Sequence, residues 1–429
     1  MTQPNIVFIT AHDLGRHLGC YGVSTVATPA LDELAATGVL FEQCFCSAPQ
    51  CSPSRAALHT GRYPHSNGVM GLTHGNFRWR LHPDERHIAE ILSENGYDTA
   101  LIGVQHLTEQ PEELGYHSVL PQMVAAEAGE AASDYIRKSA SSKKPFYLEV
   151  GFFEPHRPFH YGGVGPEEAK GVFIPPYIPD SPEARSDFAM LQGAVQTMDK
   201  GIAVILDALR DTGLEGHTWV IFTTDHGIAM PRAKGTLYDP GLEAALIMRY
   251  PQAGLFGGRR IEALIGHVDV VPTMLEALGM DASDRLHGQS FWPALQGAPC
   301  RPATEIYAEK TYHNYYAPMR CIRTETHKLI VNMEVSVRVD VPGDIQQSPI
   351  YPLMLKQFLK VRDHIELYDL RNDPWETENL AGKEACLEVE KSLLSKLLHW
   401  MEDTDDPILK GPVPSPYYVE SVRKLHEAR

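Results

Sequence analysis

Three apolar runs in the chain each end in a polar cluster that could bind a metal or move a proton. Residues 5–9 (Asn-Ile-Val-Phe-Ile) lead to His12-Asp13, and residues 219–223 (Trp-Val-Ile-Phe-Thr) lead to Asp225-His226. Residues 146–150 (Phe-Tyr-Leu-Glu-Val) are followed by Glu154-Pro155-His156-Arg157-Pro158. Two carboxylates and two imidazoles converging at strand ends could hold a divalent cation. Taken singly, each aspartate reads as a turn or cap and each histidine as a hydrogen-bonded side chain. A fourth segment runs Cys51-Ser52-Pro53-Ser54-Arg55 and continues to Leu58-His59-Thr60-Gly61-Arg62. It predicts a cysteine just before a short helix, capped by Ser52 or Ser54 and closed by Gly61. A helix N-terminus stabilises a thiolate or any developing anion at Cys51, and Arg55 adds a fixed charge one turn on. On these residues alone, an ordinary buried cysteine before a helix is equally served.

The elements that must carry these groups alternate along the chain. Short apolar strands are predicted near residues 5–9, 39–41, 99–103, 146–150 and 219–223. Between them lie helices: one opened by Thr28-Pro29 and closed by Gly38, one through Ile88, Ile91 and Leu92, and one from Asp187 to about Asp211. The proline-rich stretch 174–182 reads as a surface loop. Such alternation implies an α/β fold, a large mostly parallel sheet sandwiched by helices. After about residue 300 the pattern changes to short antiparallel strands near 320–323, 328–332 and 366–369, then a helix from about Cys386 to Trp400. We therefore expect a catalytic α/β domain over 1–305 and a smaller α+β part over 306–429 built on a short antiparallel sheet.

Composition narrows the function. The chain has 429 residues, 38 basic and 55 acidic, and a formal charge of −17. That balance argues against a nucleic-acid partner, while a local basic pocket can still take an anion. No run approaches the roughly 18 apolar residues of a membrane span. The first residues lack the basic and apolar regions of a signal peptide, so the chain as given reads as cytoplasmic unless a leader was removed. Seven cysteines (20, 44, 46, 51, 300, 321 and 386) form no CxxC pair, which excludes a disulfide scaffold or zinc ribbon.

The Cys-x-Pro-Ser-Arg segment followed by Leu-x-Thr-Gly resembles the signature of the type I sulfatases, members of the alkaline phosphatase superfamily. Other landmarks resemble that family in order along the chain: Pro4 to Ile9 with Asp13-Leu14-Gly15, Gly103 to His106, Phe222 to Gly227, and Lys234-Gly235-Thr236-Leu237-Tyr238. Glu366-Leu367-Tyr368-Asp369 with Asp373-Pro374 and Glu378-Asn379-Leu380 resembles the C-terminal landmark. Glu154 to Arg157, Ala317-Pro318-Met319-Arg320 and Trp400 to Pro407 resemble most the heparan N-sulfatase (sulfamidase) branch, which acts in glycosaminoglycan degradation. Two positions depart from the pattern. His12 stands where the family usually has a first aspartate, and Val104 where it has a lysine that helps hold the nucleophile. His59 and Arg55 are candidates to compensate.

The resemblance implies a hydrolase whose Cys51 is oxidised to formylglycine by a formylglycine-generating enzyme. Its hydrate attacks sulfur beside one divalent metal. The implied ligands are His12, Asp13, Cys51, Asp225 and His226. Calcium is the expected ion, with manganese or another transition metal opened by the two histidines. Arg55 and Lys234 are expected to screen charge on the sulfuryl group, His156 to protonate the leaving atom, and His106 to take the proton of the second hydroxyl. Arg157, His313 and His74 are expected to border the substrate; for His74, as for His65 and Arg78, a solvated loop is an equal reading. The expected substrate is a small sulfated sugar or sulfate ester, N-sulfoglucosamine-like, and a homodimer is left open. Alternatives are a phosphonate monoester or phosphodiester hydrolase on the same scaffold, or a catalytically inactive sulfatase-like binding protein.

Overall fold

The computed structural model describes residues 3–121, 124–298, 303–334 and 339–428, so Cys300 lies outside the described residues. Thirteen strands form two sheets among them. The first sheet contains β1 (Asn5–Ala11), β2 (Val39–Phe45), β3 (Asp98–Gly103), β4 (Ser118–Leu120), β5 (Phe146–Gly151), β6 (Thr218–Thr224), β7 (Glu243–Ala244), β8 (Leu246–Arg249) and β9 (Arg259–Gly266). Their order is β4-β3-β5-β1-β6-β8-β2-β7, with β9 paired to β2. β4, β3, β5, β1 and β6 run parallel, and β8 is antiparallel to β6 and β2. The predicted α/β sheet is thus mixed and mostly parallel.

Burial on both faces explains the near-continuous apolar character of β1, every residue of which is buried. Successive side chains alternate between faces. Val7 and Ile9 join a core beneath the helices Pro29–Thr37, Ala125–Ser139 and Pro182–Asp211. Ile6 and Phe8 join the opposite core beneath Cys51–Thr60, Ile88–Glu94 and Val270–Ala277. Each such side chain contributes about 1.5–3 kcal/mol relative to exposure. The helix expected from Asp187 starts earlier, at Pro182, because Ser181 caps it by accepting from Ala184 N at 3.2 Å.

Register sets the geometry of everything that follows. Thr10 of β1 pairs with Gly151 of β5, Ala11 of β1 with Thr224 of β6, and Gly103 of β3 with Gly151. These four strands end level. The segments after them, carrying His12-Asp13, His106, His156 and Asp225-His226, all emerge along one edge.

The second sheet is antiparallel, in the order β10 (Glu305–Tyr312), β11 (Tyr316–Thr324), β12 (His327–Asn332) and β13 (Ile365–Asp369). One face packs Ile322, Leu329 and Leu367 against Leu393, Leu397 and Trp400 of the helix Leu387–Asp403. The other face packs Ile306, Ala308 and Met319 against Phe45, Leu237 and Leu242. The chain between β12 and β13 returns to the main core, where Val341, Ile345, Ile350, Met354 and Phe358 are buried. Among the described residues, no helix is long and apolar enough to cross a membrane.

Candidate active site

Cys51 is the first residue of its helix, not the residue before it. The two serines expected as caps lie inside the helix, because their hydroxyls are drawn elsewhere: Ser54 Oγ donates to Asp225 O, and Ser52 Oγ accepts from Thr73 N at 3.3 Å. Gln50, in extended backbone, takes the cap position, and Gly61 at φ +69° closes the helix by donating to Ala57 O. The whole helix is buried, which seats Cys51 Sγ against the sheet edge with a fixed direction.

Around that sulfur the donor atoms are closely spaced. His12 Nε2 lies 3.0 Å from Sγ, His226 Nε2 3.6 Å and Asp13 Oδ1 3.8 Å. His12 Nε2 is 3.4 Å from Asp225 Oδ2 and 3.6 Å from Asp13 Oδ1. Asp225 is held on both sides: Oδ1 accepts from Asp13 N and His226 N, each at 2.9 Å, and Oδ2 from Arg55 Nε at 3.1 Å. Two overlapping groups of potential metal donors result, His12-Asp13-Cys51-His156 and Asp13-Cys51-Asp225-His226.

The tautomer of His226 tests whether a cation suits this cluster. Its Nδ1–H donates to Gly227 O at 3.0 Å, so in the neutral ring the Nε2 lone pair faces Asp13 Oδ1 at 3.0 Å. A lone pair facing a carboxylate is repulsive unless a proton or a metal ion lies between. The buried Asp13, Cys51, Asp225 and His226 form one donor group and His12 stands in the overlapping one, so the cluster fits a divalent cation, and its nitrogen and oxygen donors widen the choice beyond calcium.

Charge is organised in the same way. Burial opposes the charged form of every group here. For Asp13, Lys234 and the histidines overcome that penalty and hold the carboxyl well below its ordinary value. For Lys234, Asp13 and Asp344 hold the ammonium well above. For His226, Asp225 and Asp13 raise the imidazole well above. Cys51 behaves otherwise: burial raises the thiol, Lys234 lowers it, and Asp13 raises it again, for a net upward shift. The thiolate expected from the helix N-terminus is overridden by burial.

Lys234 Nζ donates to Asp13 Oδ2 at 2.6 Å and to Asp344 Oδ2 at 2.8 Å, and lies 3.2 Å from His156 Nε2. His156 Nδ1–H donates to Arg157 O, leaving Nε2 toward Lys234 and the cluster. Burial and Lys234 depress His156, against Asp13 and Asp344. His106 sits 4.8 Å from His12, ring to ring, with Nδ1 unpartnered; burial and Arg55 keep it well below the usual imidazole value. His74 is exposed, its ring 5.4 Å from that of His106. His313 is buried with Nδ1 unpartnered and is lowered to about 4, first by burial and then by Lys310.

Arg157 is turned away from this constellation. Its guanidinium binds both oxygens of Asp187 and Ala229 O, and lies 4.1 Å over the Phe159 ring. His65 is likewise occupied, its N and Nδ1 at 2.7 and 2.9 Å from Glu309, while Arg78 is exposed. His59 points into the core, 3.3 Å from Glu149, so it leaves Cys51 to His12. The Val104 side chain brings no polar atom, and its carbonyl accepts from Arg55 Nη1 at 3.1 Å. Asp344 escaped sequence reading: Pro342-Gly343-Asp344 carries every mark of a surface turn.

Comparison with known proteins accords with this geometry. Residues 4–280 match the family profile described as Sulfatase, and residues 232–403 match that described as N-sulphoglucosamine sulphohydrolase, C-terminal. Human N-sulphoglucosamine sulphohydrolase is 29% identical, over 95% of this chain and 92% of that one. A structure solved in complex with its substrate D-glucosamine-2-N,6-O-disulfate superposes with a TM-score of 0.72 at 19% identity, covering 96% and 99% of the two chains. The phosphonate monoester hydrolase of Agrobacterium radiobacter gives 0.73 at 20% identity, covering 94% and 96%. With the profile spanning more than half of its length and the Cys51 segment seated at the sheet edge, the chain belongs to the sulfatase family.

Proposed function

We propose that the chain hydrolyses a sulfate ester or sulfamate group on a small, N-sulfoglucosamine-like sugar. The observation that carries this reading is Cys51 Sγ at a buried helix start, within 3.0–3.8 Å of His12, His226 and Asp13, with Lys234 clamped on the far oxygen of Asp13. The 29% identity to human N-sulphoglucosamine sulphohydrolase supports the choice of sugar.

In this reading a formylglycine-generating enzyme converts Cys51 to the aldehyde whose hydrate supplies the nucleophile; Asp13, Asp225 and His226, with His12 beside them, would hold a divalent cation, which when bound would lower the pKa of that hydrate and polarise the sulfuryl group. Arg55 and two backbone N–H groups fix the Asp225 carboxylate so that it cannot swing. Lys234, kept charged, screens the sulfuryl oxygens, the usual largest contribution in such transfers. His156 turns Nε2 to the leaving atom. The arriving anionic group favours its imidazolium form against burial and Lys234, for a general-acid contribution of about 10²–10⁴ in rate. His106, held neutral, takes a proton as sulfate departs. His74 and His313 border the sugar, and Arg157 acts from behind by bracing the loop that carries His156.

A phosphodiester or phosphonate ester is the second reading, favoured by the imidazole of His226 and the likeness to the Agrobacterium hydrolase. Parallel kinetics on an aryl sulfate, a sulfamate and an aryl phosphodiester separate the two. The primary test combines mass spectrometry of the Cys51 peptide with sulfate release. Converted Cys51 and a loss of about 10⁴-fold or more in Cys51→Ala are expected. An unmodified thiol in fully active enzyme refutes the reading.

A further inference from the structure

Asp344 comes from outside the parallel sheet, yet it is held firmly at the site. It precedes the 3-10 turn Ile345–Gln347, whose Gln347 N donates to Asp344 O at 3.1 Å. Ile345 is fully buried in the main core, and Ser348 Oγ donates to Asp187 Oδ2 at 2.7 Å. Asp344 Oδ2 accepts from Lys234 Nζ at 2.8 Å and stands 3.7 Å from His156 Nε2. Its side chain remains 19% exposed, unlike the fully buried Asp13 and Asp225. Asp344 is thus a carboxylate beside the proton donor, outside the candidate metal cluster.

Resting on the hydrolase reading above, we propose that Asp344 selects a leaving nitrogen over a leaving oxygen, and so directs the enzyme to sulfamates of amino sugars. The atom that departs from sulfur must sit at His156 Nε2 to receive its proton, which places it beside Asp344. His156 gives its proton to the sulfamate nitrogen, the nucleophile's oxygen–sulfur bond forms, and the sulfur–nitrogen bond breaks with its electron pair staying on nitrogen, releasing R–NH2, which takes a second proton from solvent. Overall, R–NH–SO3⁻ and water give R–NH3⁺ and SO4²⁻. The nitrogen protonated while still bonded to sulfur carries positive charge that a fixed carboxylate stabilises. A departing ester oxygen carries negative charge, which the same carboxylate disfavours.

The test is kcat and KM of the parent and Asp344→Asn on N-sulfoglucosamine and on glucosamine 6-sulfate. Asparagine keeps an oxygen for Lys234, so both activities can fall through Lys234 while their ratio reads the charge. The sulfamate-to-ester ratio of kcat falls about 10²-fold, the two KM values move together, and Asp344→Glu recovers part of the ratio. An unchanged ratio overturns the proposal with the hydrolase reading intact. A parent that cleaves the ester but no sulfamate overturns it equally. A parent that cleaves neither overturns the functional reading on which it rests.

Discussion

Replacing Arg157 with alanine separates a brace from a substrate ligand. The guanidinium bonds to both oxygens of Asp187, donates to Ala229 O at 2.8 Å and lies over Phe159. Arg157 is 7% and Asp187 5% exposed. Removing one partner of a buried ion pair costs about 3–5 kcal/mol, because the other charge is left uncompensated. Asp187 keeps one bond, from Ser348 Oγ, which offsets about 1 kcal/mol. A net loss of about 2–4 kcal/mol follows. At about 2.1 cal/mol/K per residue, 429 residues give an unfolding entropy of about 0.9 kcal/mol/K. The thermal midpoint of Arg157→Ala then drops by about 2–4 °C. Differential scanning calorimetry measures the drop, and Michaelis kinetics below the transition measure KM, which stays within about threefold of the parent while the loop holds. Replacing both partners (Arg157→Met with Asp187→Leu) restores most of the midpoint, since no charge is stranded. An unchanged midpoint with KM raised tenfold or more would refute the bracing role and return Arg157 to the substrate.

Two further outcomes can be checked. His87 is held to about 3 by burial, with its Nδ1 accepting from Ala89 N as the cap of Ile88–Glu94. The unfolded chain binds a proton near pH 6.5 and the folded chain does not, so this contribution is complete above pH 6.5 and is lost as pH falls toward 3. His87→Asn keeps a capping side chain and should lower the slope of unfolding free energy between pH 5 and 6.5 by about 1 kcal/mol per pH unit in urea titrations; an unaltered slope would show that His87 is already charged. Chelation is expected to abolish sulfate release, and manganese to restore more activity than calcium, because an imidazole nitrogen stands in each of the two overlapping donor groups; full recovery with calcium alone would remove His12 and His226 from that role.

What could be read from residue order follows from where the burial lies. β1, β5 and β6 announce themselves because both faces are covered and the run is buried throughout and mostly apolar. β4 is three residues at a sheet edge, and β9 begins Arg-Arg-Ile-Glu, so neither carries that mark. The helix Ala125–Ser139 is hidden by its small residues. Gly129 rests so closely on Gly201 that a Cβ would come within 2.7 Å of its carbonyl, and packing there depends on smallness, not on an apolar stripe. At the site, Cys51, Asp13, Asp225 and Lys234 stand in recognisable motifs. Asp344 is joined to them only by the fold, and the occupation of Arg157 by Asp187 has no local trace.

The level strand ends have a price in chain connectivity. Asp13 meets Asp225 across 212 positions and Lys234 across 221, and Lys234 meets Asp344 across another 110. Non-local closures of this kind form slowly and late. On the proposed site, turnover is expected from chains in which these closures are complete, so specific activity is expected to track the fraction of completed molecules in a preparation of this protein.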